Sequence, residues 1–439
     1  MNKKATWFFI TMLSVVSAFS QSDSGKISKA LDRLDLSIGG CGYIMFGQIV
    51  SGYQFGVRDD QNYIQNRWQD FYAGRLEITS KPVDWYYTSV ALQVSSNFPV
   101  TIASSIQKDS YRLRFSSILP KAVGVFDLKF PAWSLLIESG IMEYNFNPEI
   151  KNFGNYLYRS LAYPFTLETK LDYPYANLMG IRTQGKFLND QFKVEAILNS
   201  ITNHVPFYDM SLGLILSYTM PNKLLEVGGG VLFDRLISTD EKATDLKDVN
   251  KDYLIDTTLT YRSTKLDARL TLDFKPVLGN PGFFGKNDLK FYGEAGLIGV
   301  KTPHYWPDDS IPERLMNRVP MLFGFNLPAF KVLDLLSVEI EYCQSPYAFD
   351  WWGAFDGMQT PSPASLPKSD PWSKIYREDD NIKWTVYLKK SISKFDIIGI
   401  LANDHTIYET INSENQPYTE QSLRTSKDWH WFVKLQYNL

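Results

Sequence analysis

The chain is short of the residues that carry most soluble enzyme chemistry. Among 439 residues there are 2 cysteines and 4 histidines, and only 21% are charged. Two cysteines exclude a disulfide-dense scaffold and a multi-cysteine metal site. Basic residues do not exceed acidic ones: 45 Lys and Arg stand against 48 Asp and Glu, for a formal charge of -3, so the global basic excess of a nucleic-acid binder is missing. Beyond the extreme N-terminus no apolar run approaches the ~20 residues a membrane helix needs, and mean hydropathy is -0.22, which removes a helical membrane bundle. The histidines, His204, His304, His405 and His430, are scattered singly. Neither a Gly-Xaa-Ser-Xaa-Gly nor a His-Glu-Xaa-Xaa-His pattern occurs, so no enzyme, catalytic residue or cofactor is expected. Asp248, Asn250, Asp252 and Asp256 have the odd-position spacing of a calcium loop. Tyr253 replaces its glycine and Leu259 its bidentate glutamate, so a solvated turn and no metal is the better reading. Abundance lies elsewhere, with 28 Phe, 26 Tyr and 11 Trp making 15% of the chain aromatic.

The first residues are expected to be a targeting signal. Lys3 and Lys4 precede an apolar stretch from Trp7 to Ser17, and Ala18-Phe19-Ser20 puts small residues where a signal peptidase cuts. The expected organisation is a cleaved signal at 1–20, a short N-terminal segment at 21–40 and one β domain at 41–439. Cys41 and Cys343 are read either as one disulfide or as two small side chains on strands.

Period-two alternation runs through the remainder. Leu266, Ala268, Leu270, Leu272 and Phe274 interleave with Asp267, Arg269, Thr271 and Asp273, and Phe192, Val194, Ala196 and Leu198 with Lys193, Glu195 and Asn199. Ile382, Trp384, Val386 and Leu388 alternate with Lys383, Thr385, Tyr387 and Lys389. A helix cannot use that period and a half-solvated strand requires it. Three features separate a membrane barrel from a soluble sandwich. Strands near ~10 residues suit a tilted bilayer crossing. Aromatics gather at strand ends, at Trp85-Tyr86-Tyr87, Tyr261, Tyr292, Tyr342 and Trp429. Tight turns at 189–191, 221–223 and 263–265 alternate with long polar segments at 145–177, 236–252, 343–381 and 409–427.

At the C-terminus Trp429, Trp431, Val433, Leu435, Tyr437 and Leu439 alternate with His430, Phe432, Lys434, Gln436 and Asn438. This segment resembles the last strand of outer-membrane β-barrel proteins, which implies recognition by the barrel-assembly machinery; Leu439 stands where a terminal Phe or Trp is usual. Tyr144-Asn145-Phe146-Asn147-Pro148, Asn155 to Ser160, Arg318 to Met321, Phe325 to Pro328 and Val338 to Tyr342 resemble a poorly characterised group of porin-like bacterial outer-membrane proteins. The resemblance covers a minor part of the chain and implies fold and cell outer-membrane location only.

Candidate strands are 41–54, 70–79, 85–95, 110–118, 134–144, 178–187, 192–201, 210–219, 224–235, 253–262, 266–275, 288–299, 319–327, 336–343, 382–391, 394–408 and 428–439. The count is odd, and up-down parity walked from the two ends clashes between 276 and 318. One strand is therefore spurious or missing, with 126–130 a possible extra. The expected fold is an all-β transmembrane antiparallel up-and-down barrel of about 16–18 strands.

Alternation assigns a charged inner wall that includes Arg75, Glu77, Arg112, Arg114, Arg182, Lys186, Lys193, Glu195, Arg269, Asp273, Lys290, Glu294, Glu339, Glu341 and Lys383. Basic wall positions, counted with Arg262, outnumber acidic ones, counted with Asp256, which hints at a mild anion preference; a balanced ladder of ion pairs is the favoured alternative. Trp351 and Trp352, in Phe349 to Phe355, are candidate loop aromatics for stacking or constriction, and Gly25–Leu36 has helical spacing suited to a short helix or plug. The functional expectation is a porin-like channel for passive diffusion of small hydrophilic solutes. The rival is a plugged structural barrel whose loops bind surface polymers or proteins. Expected partners are outer-membrane lipid and lipopolysaccharide, the assembly machinery, small solutes and, as an option, further copies in a homo-oligomer, without nucleic acid.

Overall fold

The computed structural model describes residues 35–53, 63–97, 100–101, 114–159, 175–201, 209–239, 245–247, 258–260, 262–279, 281–300, 315–344, 381–405, 407–411, 417–421, 423 and 425–439. Alternating segments become sixteen barrel strands: β1 Leu36–Tyr53, β2 Tyr63–Val83, β3 Tyr86–Asn97, β4 Arg114–Lys129, β5 Trp133–Tyr144, β6 Ala176–Phe187, β7 Phe192–Ile201 and β8 Met210–Thr219, then β9 Leu225–Ile237, β10 Ser263–Asp273, β11 Lys290–Leu297, β12 Met321–Asn326, β13 Leu335–Tyr342, β14 Ile382–Ile392, β15 Phe395–Asn403 and β16 Trp429–Asn438. Each pairs antiparallel with its sequence neighbours. β1 against β16 closes the ring, with Cys41 opposite Asn438 and the Leu439 amide donating to the Gly40 carbonyl at 3.0 Å. Closure leaves the ring without an edge, the condition for crossing hydrocarbon with strands. β1 starts at Leu36, ahead of the expected 41.

Sixteen of the seventeen candidates are barrel strands, and the spurious one is 253–262. Its Thr258–Thr260 pairs with Asp245–Lys247 in a small hairpin outside the ring. The parity error therefore lies upstream of the 276–318 interval: Ser263-Thr264-Lys265, expected as a turn, opens β10. A loop hairpin alternates as a wall strand does, so period alone cannot separate them. Phe126 to Lys129 is not an extra strand but the end of β4.

The two faces divide as the alternation requires. Ile44, Val90, Ile181, Leu214, Leu216, Leu266, Phe323, Ile340 and Leu435 are exposed on the outer face, while Glu195, Ser217, Asp267, Glu339 and Lys434 are buried on the inner one. Replacing outward Leu214, midway along β8, by Arg is expected to cost about 2–4 kcal/mol of folding stability at the bilayer midplane. Denaturant titration of refolding into liposomes measures it, and an unchanged midpoint would contradict a lipid-facing Leu214.

At the turn end, outward Trp85, Phe126, Phe130, Trp133, Phe187, Tyr218, Phe274, Phe395 and Tyr437 form a belt. Phe130 stacks on Trp133 at 4.2 Å and Trp133 on Phe187 at 6.4 Å. Tyr292, expected among the strand-end aromatics, instead points inward and is buried. At Gly140 of β5, φ is +130° and a Cβ would run into the Ala122 carbonyl of β4, so only glycine closes that pairing. Cys41 and Cys343 form no disulfide with each other; they are buried in separate apolar clusters inside the barrel.

Candidate functional site

Between β5 and β6 the chain turns into the barrel. Asparagines bend it: the Asn145 side-chain oxygen accepts from the Asn147 amide at 3.1 Å, and that of Asn147 from the Glu149 amide at 3.2 Å, either side of Pro148. Asn155 takes the left-handed conformation at φ +62° after Gly154 at +84°, and its side-chain oxygen accepts from the Phe146 amide at 3.0 Å. Asn152 to Arg159 are all buried.

The wall meets this segment with carboxylates. Glu339 of β13 accepts from the amides of Lys151 at 2.5 Å, Asn152 at 2.9 Å and Phe153 at 3.2 Å, and from the Tyr292 hydroxyl at 2.8 Å. Three successive amides converging on one anion make a backbone nest. Glu294 of β11 accepts from the Tyr156 amide at 2.8 Å, and Asp267 of β10 from the Leu157 amide at 2.9 Å. Glu341 takes the Tyr156 hydroxyl at 2.7 Å and lies 2.5 Å from His405 Nε2. Charge-assisted bonds of this kind are worth about 1.5–3 kcal/mol each, and a buried carboxylate needs them to offset its lost hydration.

Three successive side chains sit over wall glycines. A Cβ on Gly296 of β11 would stand 2.6 Å from Tyr156 Cβ, one on Gly230 of β9 2.9 Å from a Leu157 methyl, and one on Gly213 of β8 would strike the Tyr158 hydroxyl. Around them the interior is apolar. Phe146, Leu157 and Tyr158 pack with Val123, Val125, Met142, Tyr144, Leu178, Ile197, Ile215 and Leu232, and Ile150, Phe153 and Tyr156 with Tyr292, Ile298, Leu322 and Cys343. The segment reaches the far wall, where Asn152 Nδ2 donates to Asp404 at 2.7 Å and Phe153 meets the His405 ring edge-on at 6.0 Å. In the other half of the barrel Leu423, ahead of β16, packs on Tyr43, Met45, Ile49, Phe71 and Phe432, and its carbonyl accepts from Lys383 Nζ. Burial holds the Lys151 ammonium below its ordinary pKa and pushes the Tyr156 and Tyr158 phenols above theirs.

The charged wall residues read from sequence separate into two groups. Glu294, Glu339 and Glu341 hold the inward segment. Arg75, Glu77, Arg182, Lys193, Glu195, Arg269 and Lys290 lie at inner positions in ion pairs: Arg75 with Glu143 at 2.6 Å, Lys121 with Glu77 at 2.7 Å, Arg182 with Glu138 and Glu195 at 3.2 Å, Lys193 with Glu195 at 2.5 Å, Arg269 with Glu226 at 2.6 Å and Lys290 with Glu149 at 2.6 Å. Asp273 pairs with Lys275 at 3.0 Å near the turn end. Lys186 occupies an inner register position beside Lys193. Arg114 lies in β4, but its side chain, with Arg112, Trp351, Trp352 and the calcium-like 248–256, is outside the described residues. Sequence reasoning passed over Lys121, Glu138, Glu143, Asn152, Tyr156 and the glycine seats. The signals available were the asparagines of 145–155 and glycines at inward positions of apolar strands.

A closed sixteen-stranded antiparallel ring with this face pattern is a porin-like transmembrane β-barrel. Among solved structures, Pseudomonas putida OprB superimposes with a TM-score of 0.53 over 95% of this chain and 97% of that one, at 10% identity. A triple mutant of the Rhodopseudomonas blastica porin matches over 92% of this chain and 100% of that one, with a TM-score of 0.43 at 7% identity. No family model and no curated protein sequence matches the chain.

Proposed function

We propose that the barrel resides in the outer membrane of a bacterium and lets small hydrophilic solutes diffuse through a passage narrowed by residues 145–159. The observation that carries this reading is the inward segment bound to Glu339, Glu294 and Asp267, since a ring of sixteen strands is wide enough for a lumen and a fixed internal constriction there would admit solutes by size with no chemical step. The mild anion preference weakens on this reading. Inner Lys121 and Lys265 join the basic side, but Glu138, Asp234 and Asp396 join the acidic one, and most of these groups face a partner of opposite sign. Interlocked ion pairs polarise a pore without giving it a strong sign, so weak selectivity is expected.

The plugged-barrel reading is favoured by the approach of the inward segment to Asp404 and the packing of Leu423 in the opposite half. Single-channel recording in a planar bilayer under a salt gradient separates the two. Small, stable open steps with a reversal potential close to zero support the channel; verified insertion with no step at any voltage would replace it by the plugged barrel.

A further inference from the structure

Two connections at the turn end, 274–289 between β10 and β11 and 327–334 between β12 and β13, are bound into one unit. Asp288 Oδ2 accepts from the Gly285 amide at 2.8 Å and from the Phe330 amide of the other connection at 3.2 Å. Asn287 Nδ2 donates to the Asp334 carbonyl at 3.2 Å, and Lys331 Nζ to the Gly282 carbonyl. This framework holds three phenylalanines together: Phe283 lies 4.3 Å from Phe284 and 6.2 Å from Phe330, and Phe284 lies 5.9 Å from Phe330.

The cluster is not a core. Phe283 and Phe330 are each 56% exposed, Val277 66% and Val332 73%. Phe330 and Lys331 both take left-handed conformations, at φ +50° and +64°, where Asn-Gly is the usual pair. A bulky residue rarely accepts that backbone, and here it places Phe330 against Phe283.

Charge indicates what covers the patch. Four lysines, Lys275, Lys286, Lys331 and Lys390, stand against three carboxylates. Asp273 pairs with Lys275 at 3.0 Å, Asp334 approaches Lys390 at 3.9 Å and accepts from the Ser391 amide, and Asp288 is held by the amides of Gly285 and Phe330. This leaves the exposed Lys286 and Lys331 as the excess positive charge beside the apolar tips. Lys275 Nζ and Lys390 Nζ also donate to backbone carbonyls of the same connections. The patch also continues the outward belt through Phe274, the last lipid-side residue below β10. Apolar tips ringed by ammonium groups at the level of an aromatic belt match the boundary between acyl chains and anionic headgroups.

We propose that these connections form an aromatic foot seated in the anionic phospholipid headgroup layer of the leaflet at the turn end. The proposal rests on the membrane placement given above. The test is spin labelling of the full chain in liposomes with and without anionic phospholipid, at Phe283→Cys, Phe330→Cys, the outer-wall control Leu214→Cys and the turn control Asn222→Cys; Cys41 and Cys343 are buried. Collision rates with oxygen, which concentrates in lipid, are compared with those of a water-soluble nickel chelate.

Oxygen-dominated labels at 283 and 330, with depth increased by anionic lipid and reduced by Lys286→Glu with Lys331→Glu, are expected alongside an oxygen-dominated 214 and a chelate-dominated 222. Chelate-dominated labels at 283 and 330 beside a normal 214 would overturn the foot alone. A chelate-accessible 214 would overturn the membrane placement with it. Labels at 283 and 330 immobilised and shielded from both reagents would mean a protein neighbour, a second copy or another partner, and would also overturn the proposal.

Discussion

Glu339→Ala is expected to raise single-channel conductance by about twofold or more, with open steps that fluctuate where the parent's are steady. The reason is the number of donors that this one carboxylate serves. Removing it strands the amides of Lys151, Asn152 and Phe153 and the Tyr292 hydroxyl in a buried site, and breaking one partner of such an arrangement costs about 3–5 kcal/mol. The barrel ladder does not depend on those bonds, so the cost falls on docking of 145–159. Its undocked fraction should rise by roughly two to nearly four orders of magnitude, at about 1.4 kcal/mol per tenfold. Glu339→Gln keeps the shape and one acceptor oxygen but aims an amide group at donors, so an intermediate conductance is expected. Folded, membrane-inserted Glu339→Ala with the parent's conductance would show that the segment does not limit the passage.

The second large effect is steric. Gly296 has no room for a side chain, because any Cβ there approaches Tyr156 Cβ to 2.6 Å, and that atom is the root of its side chain and not a movable tip. Gly296→Ala should shift Tyr156 and raise conductance modestly, and Gly296→Val should displace the segment and match Glu339→Ala. Overpacking a fitted contact costs about 1–3 kcal/mol, and a β-branched side chain favours the strand, so the wall itself should fold. The double variant Gly296→Val with Glu339→Ala separates the explanations. If both act by undocking one segment, conductance should not rise beyond the larger single effect. Additive increases would assign the two residues to independent constrictions.

Much of the ring was legible because a strand's two faces are a local property. Leu266 to Phe274 alternates over successive residues, and β10 presents Asp267, Arg269 and Thr271 inward as that pattern requires. The same locality explains the error at 253–262: the segment alternates, yet its 258–260 pairs with 245–247 outside the ring. Tyr292 was misassigned for a related reason. Aromatic character fits a lipid belt as well as an interior partner of Glu339, and only its inward register position decides.

The inward segment was much less legible. Its asparagines announce turns, but nothing in 145–159 states that Glu339 lies nearly two hundred residues on in contact with Asn152. Nor does the charge pattern separate Glu339, which holds the segment, from Glu195, which pairs with Arg182 and Lys193. Both are acidic residues at inner positions of alternating strands.

By itself, then, the amino-acid order determined that this chain makes long two-faced strands, with apolar side chains on one face and polar ones on the other, because side-chain direction in a strand follows from period two and needs no distant partner. Tertiary structure alone decided that sixteen strands close, that β1 meets β16 at Cys41 and Asn438, and that residues 145–159 lie within the ring. Closure and docking depend on register and on contacts between residues far apart in sequence: a carboxylate gathers amides, and a glycine admits a ring, only once the strands that carry them stand side by side.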